Sequence, residues 1–124
     1  MDALMDRARM GTIATVGGAQ CAIDLQERWL QGHTHGRFCY RWRWCRKVEE
    51  ELRALRELHE RAEKGLAALE ANDLRGFLEY FDWFIRYGCQ MANGRIHPVL
   101  ARGNVDLLFD LNDRLPPDQR LQLA

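Results

Sequence analysis

Two histidines and two cysteines fall within one short stretch, at His33, His35, Cys39 and Cys45, and together they offer the nitrogen and thiolate donors that zinc prefers. Their spacing matches no closed zinc site, and the aromatic residues between them would have to fold tightly around an ion. The ordinary reading of the four is a pair of loop histidines and a pair of buried thiols, so no metal and no cofactor is expected. His59 with Glu63, and Asp106 with Asp110, stand one helical turn apart and offer an acid with a base or two carboxylates. Neither pair has a third group at a usable spacing. The chain carries no glycine-rich phosphate loop, nucleophile elbow or Cys-x-x-Cys pair. These features together point away from an enzyme.

The other chemistry in the sequence is non-covalent. From Arg37 to Lys47, arginines alternate with rings: Arg37, Tyr40, Arg41, Trp42, Arg43, Arg46 and Lys47. Guanidinium groups hold phosphates while tyrosine and tryptophan faces stack bases, so the segment suits single-stranded nucleic acid. Trp, Tyr and Arg are equally the residues that anchor protein–protein interfaces, and arginine stems also cover half-buried rings with no ligand involved. The segment is the expected partner-binding patch, with a protein as the leading partner and nucleic acid as the alternative.

Charge limits both ideas. The 18 basic and 18 acidic side chains cancel, which excludes the uniform field of a general nucleic-acid coat or membrane-surface binder. Residues 1–48 hold eight Arg/Lys against four Asp/Glu, and residues 49–124 hold ten against fourteen. Asp2, Asp6, Arg7 and Arg9 interrupt the stretch where the apolar core of a signal peptide would lie, and no run reaches transmembrane length. A cytoplasmic location with reduced thiols is the resulting expectation.

The elements that must position these groups read as helices. Val48, Leu52, Leu55, His59, Ala62, Leu66 and Leu69 recur at alternating steps of four and three, which is a heptad seam over 46–71. Glu49, Glu57 and Glu60 each precede a base by four residues, the orientation that supports a solvated helix face. The seam is thin at His59 and Ala62, so close approach by a bulky partner is expected there. Asn72-Asp73 breaks the chain and caps a second helix. That arm, 74–92, sets Leu74, Phe77, Leu78, Phe81, Phe84, Ile85 and Gly88 on one face, and Tyr80, Trp83 and Tyr87 widen it beyond what one helix can cover. The arm is therefore either central in the fold or an oligomer interface formed by Phe77, Tyr80, Phe81, Trp83, Phe84 and Tyr87.

The flanks are less regular. Thr12-Ile13-Ala14-Thr15-Val16, bracketed by Gly11, Gly17 and Gly18, suits either one short strand or the lead-in to a helix. An amphipathic helix follows over 19–31, stopped by Gly32 and Gly36. Asn93-Gly94 reads as the end of the aromatic helix and Pro98 as a new start. Gly103 interrupts, and a short helix over 104–115 turns Val105, Leu108, Phe109 and Leu115 inward. Pro116-Pro117 stops it, and the last residues look loosely held. The whole is a mainly α single domain over 1–124, a helical hairpin over 46–94 within a small bundle.

The run Asn72-Asp73-Leu74-Arg75-Gly76-Phe77-Leu78-Glu79, continuing to Arg86-Tyr87-Gly88 and Met91, resembles the helix pair in the small terminase subunits of P2-like tailed phages. There a similar Asp, Gly and acidic residue open a helix that closes on a basic residue, an aromatic or His, Gly and Met. The resemblance covers about a quarter of the chain. It implies phage or prophage origin and an oligomerising helical region. The DNA-binding part of such subunits has no recognisable counterpart in this chain, and the aromatic density from Phe77 to Tyr87 departs from the family pattern. The functional expectation is a non-enzymatic helical interaction protein, dimeric, serving as an inhibitor or adaptor. A nucleic-acid-binding regulator or packaging component, and a small zinc protein, are the alternatives.

Overall fold

The computed structural model describes residues 2–33, 42–88 and 99–123, with only the backbone given at 33, 42–44 and 99–103. Among the described residues the chain is mainly α and contains no strand. Helix α1 spans Ala3–His33, α2 spans Trp42–Glu70, α3 spans Leu74–Trp83 and runs into a π turn at Phe84–Gly88, and α4 spans Val99–Asn112.

The β-branched run that suited a strand lies inside α1, which is continuous from Ala3 to His33. Its buried positions are Ala8, Thr12, Thr15, Ala19, Ala22, Ile23 and Gln26, a seam built mostly from small and polar residues. The threonines fit because each hydroxyl bonds back along the helix, Thr12 Oγ1 to the Ala8 carbonyl at 2.7 Å and Thr15 Oγ1 to Gly11 at 2.9 Å. No buried hydroxyl is then left unpaired, and the short side chains let α2 approach.

Helix α2 runs antiparallel to α1. Ala22 and Ile23 pack with Leu52 and Leu55, Gln26 Nε2 donates to Glu51 Oε2 at 3.0 Å, and Arg56 pairs with Glu27 at 2.8 Å. The hairpin of this fold is thus joined at its N-terminal side by α1. The inward residues of α2 are Val48, Leu52, Leu55, Leu58, Ala62, Gly65 and Leu69. Leu58 and Gly65 take the places that periodicity assigned to His59 and Leu66, which are half-buried. The close approach falls at Gly65, where an added Cβ would sit 2.3 Å from Cδ2 of Tyr80.

The break at 72–73 uses two consecutive residues for two jobs. Asn72 adopts the left-handed conformation (φ 57°), the Asn72 amide donates to Leu69 at 3.2 Å, and the Asp73 amide donates to Ala68 at 2.8 Å. This is a Schellman end to α2. The Asp73 carboxylate then accepts the Gly76 amide at 3.0 Å and opens α3. A Cβ on Gly76 would lie 2.3 Å from Asp73 Oδ2, so cap and glycine are a matched pair. Asp73→Ala is expected to cost about 1 kcal/mol, read as a lower urea midpoint at unchanged slope.

Helix α3 is the centre of the molecule. Phe77, Leu78, Tyr80, Phe81 and Phe84 are buried against Leu58, Ala62 and Leu69 of α2, Leu107, Leu108 and Leu111 of α4, and Ala8 and Ala19 of α1. Phe77 and Phe81 stack with centroids 5.3 Å apart, and Phe81 stacks on Phe84 at 6.4 Å. The π turn changes the helical phase after Trp83 and seats Gly88 against Phe84, Trp83 and Leu58. Tyr87 is left 57% exposed.

The C-terminal part departs from the sequence reading in three ways. Helix α4 passes through Gly103 without interruption. Its inward residues are Leu107, Leu108, Leu111 and Asn112, whereas Val105 and Phe109 face solvent. The tail is held: Asn112 exchanges two hydrogen bonds with the Leu121 backbone at 2.9 and 3.1 Å, Arg75 donates to the Gln119 carbonyl at 2.6 Å, and Leu121 and Leu123 pack on the core. A side-chain amide that mimics a backbone pair is what anchors it. Arg114 donates to Asp2, which ties the start of α1 to the turn after α4 and holds the Asp2 carboxyl below its ordinary value.

Candidate functional site

The expected partner patch falls largely outside the described residues: Arg37, Tyr40 and Arg41 lie there, as do the side chains of Trp42 and Arg43. Arg46 and Lys47 are exposed on the first turns of α2, where Arg46 pairs with Glu50 at 3.9 Å. Of the four zinc candidates, His35 and Cys39 and the His33 side chain are likewise outside the described residues, and Cys45 is buried. No group of three potential metal ligands occurs among the described residues. His59 and Glu63 meet at 3.5 Å as a simple one-turn pair.

The aromatic positions assigned to an oligomer interface are divided by the fold. Phe77, Tyr80, Phe81 and Phe84 are packed inside the chain. Trp83 is half-buried beneath the Arg61 guanidinium, 4.4 Å from the ring centroid, and Tyr87 is exposed. Three helices, rather than a second chain, cover the ring surface that one partner helix cannot. Asp73 and Gly76, which carry the terminase-like pattern, serve the α3 cap, and Met91 lies outside the described residues.

Among the described residues, α1 carries three exposed large apolar side chains. Met10, opposite the buried seam, is 66% exposed, and Ile13 at 45% and Leu25 at 61% flank it on either side. Between them the helix presents Ala14, Gly17, Gly18 and the free thiol of Cys21 to solvent. Arg7, Met10, Ala14, Gly17, Cys21 and Asp24 recur at alternating steps of three and four, so they form one line along the helix. A shallow groove between that line and the buried seam is walled by Gly18, Cys21, Ala22, Leu25, Gln26 and Trp29. An added Cβ on Gly11, Gly17 or Gly18 would meet nothing within 4 Å. Glycine inside a helix is disfavoured by roughly 1 kcal/mol relative to alanine, and no neighbour among the described residues requires it at these positions.

The sequence places Leu25 with Ala22 and Ile23 among the apolar positions of one amphipathic helix and Ile13 in a run that suits a strand or a helix lead-in, so neither stands out as a surface residue. Helix α1 instead has a small-residue seam inward and a mixed apolar, glycine-containing stripe outward. The signal that was present is the second heptad line itself, offset to the other side of the helix. Among the described residues the chain is a small helical bundle with exposed apolar side chains on α1 and, at Val105 and Phe109, on α4. No family model, curated protein or solved structure matches the chain. No helix among the described residues is long and apolar enough to cross a membrane.

Proposed function

We propose that this protein is a non-enzymatic helical interaction module that works by laying the outward face of α1 against another protein surface. One observation carries the reading: Met10, Ile13 and Leu25 are exposed on α1, outside the seam that seals it to the bundle. Water contact on exposed apolar side chains is unfavourable, and its removal drives association. The glycines add a surface that a partner backbone can approach closely. The resemblance of residues 72–91 to small terminase subunits supports an oligomerising helical protein of phage or prophage origin.

The test replaces Met10 and Leu25 together with glutamate. Both side chains are exposed, so helicity and unfolding midpoint are expected to stay near wild type. Affinity for a partner identified by capture from the native host, then reconstituted and titrated, is expected to fall at least tenfold, the effect of removing about 1.4 kcal/mol of apolar contact. Unchanged affinity with an intact fold would overturn the reading.

A further inference from the structure

The segment that follows α4 is held on the bundle in the way a bound peptide is held. Residues 120–123 form no helix or turn, and side chains from the end of α4 and the start of α3 grip their backbone. Asn112 is only 7% exposed. Its Oδ1 accepts the Leu121 amide at 2.9 Å and its Nδ2 donates to the Leu121 carbonyl at 3.1 Å, so one side-chain amide reads both backbone groups of a single residue, as a neighbouring strand would. Arg75 adds a bond to the Gln119 carbonyl at 2.6 Å.

Three side chains of the segment are read as well. Arg120 donates through Nε to the Leu115 carbonyl at 2.9 Å and through Nη2 to the Asp113 carbonyl at 2.8 Å, a cation placed at the negative end of α4. Leu121 and Leu123 pack on the core cluster, and Gln122 between them is exposed. The pattern read is therefore Arg-Leu-x-Leu.

We propose that this groove is a binding site for an extended segment of a partner protein with that Arg-Leu-x-Leu chemistry, and that residues 120–123 occupy it as an autoinhibitory strap. The site is separate from the outward face of α1 and does not depend on it. Backbone hydrogen bonds supply affinity and alternate side chains supply specificity wherever extended peptides are bound. The Asn112 and Arg75 bonds are made to main-chain atoms, so a segment of different sequence satisfies them equally, and only the arginine and the two leucines are selected. The strap is also the part of the fold best placed to leave. It adds no backbone ladder, its two leucines are only partly buried, and a turn closed by the Gln119 amide on the Pro116 carbonyl at 2.8 Å separates it from α4, so it can lift while the helix stays intact. Tethering gives it a high effective concentration, which keeps the groove closed to weak competitors.

The test titrates the isotope-labelled full-length chain with a peptide of sequence 116–124 and follows the Asn112 side-chain amide signal by nuclear magnetic resonance. With Leu121→Ser and Leu123→Ser releasing the strap, the peptide is expected to bind roughly tenfold or more tighter than to wild type and to shift that signal. A peptide that keeps only the arginine and the two leucines on a glycine-serine background is expected to bind within about threefold of it. Changing the peptide arginine to glutamate, or Asn112→Ala in the released chain, is expected to weaken binding roughly tenfold, whereas Met10→Glu with Leu25→Glu leaves it unchanged. In wild type, the Leu121 amide is expected to exchange with solvent about a hundredfold faster than the Leu111 amide, because the strap opens without global unfolding.

A released chain that binds no tighter than wild type, or binding indifferent to Asn112→Ala, would overturn the proposal. Exchange at Leu121 as slow as at Leu111, or loss of helical circular dichroism in the released chain, makes the strap part of the core and also overturns it. Binding lost on the α1 changes places the peptide on the other surface, and a wild-type dimer dissociated by the two leucine changes assigns the groove to a second copy's strap. Either result removes the partner assignment.

Discussion

Phe77→Ala is expected to destabilise the fold by about 3–5 kcal/mol. Phe77 is 0% exposed, stacks on Phe81 at 5.3 Å and meets Tyr80 at 6.0 Å, and belongs to the one apolar cluster that joins all four helices. Its removal takes away the transfer energy of a whole ring and leaves a cavity that three neighbouring helices cannot close without giving up their own contacts. A domain of this size has about 5–15 kcal/mol of stability in total, so the variant is expected to be partly unfolded at physiological temperature. Urea unfolding followed by circular dichroism measures this. Tyr87→Ala on the same stretch is the control, because Tyr87 is 57% exposed and its loss is expected to stay within about 0.5 kcal/mol. Equal losses at the two positions would show that α3 is not the centre of the bundle.

Gly65→Val is expected to cost about 3 kcal/mol, at the upper end of what overpacking a core does. The added Cβ would lie 2.3 Å from Cδ2, 2.7 Å from Cγ and 3.0 Å from Cε2 of Tyr80. Those atoms are the root of the ring rather than its mobile tip. The ring cannot tilt away freely, since it already packs against Phe77, Trp83 and Phe84 at 6.0, 6.4 and 6.0 Å. Helix propensity acts in the opposite direction, as alanine is favoured over glycine by about 1 kcal/mol. The sign for Gly65→Ala therefore follows from the clash, and a net loss of about 1 kcal/mol is expected. In a Tyr80→Ala background the same change is expected to become neutral or stabilising, and a double-mutant cycle measures the coupling. Additive effects would mean that the ring does not sit over Gly65.

Much of the helical class was legible because the strongest elements announce themselves by period. The seam of α2 was readable at Val48, Leu52, Leu55, Ala62 and Leu69. It slipped at Leu58 and Gly65, for a reason visible in the packing. Helix α2 faces α1 along its first half and α3 along its second, so its inward direction is not one straight line. A glycine that admits a tyrosine ring also has no hydropathy to register. The junction at 72–73 was readable because Asn and Asp carry their own local hydrogen-bonding chemistry. In α1 the buried face is alanine and threonine, which counts as weakly apolar, and the β-branched run that suited a strand is tolerated once the hydroxyls bond back to the helix.

What the sequence determined by itself is local: the mainly α class, the place where α2 stops and α3 starts, and an aromatic surface on α3 too broad for one helix to cover. Tertiary structure decided what covers it. Helices α1, α2 and α4 bury the rings of Phe77, Tyr80, Phe81 and Phe84 within one chain, and exposed apolar side chains remain on α1 and α4. The physical reason is that periodicity records which residues share a side of a helix, while the choice of side to bury depends on the shape of elements distant in the chain. Helix α1 buries the side whose small residues let α2 approach.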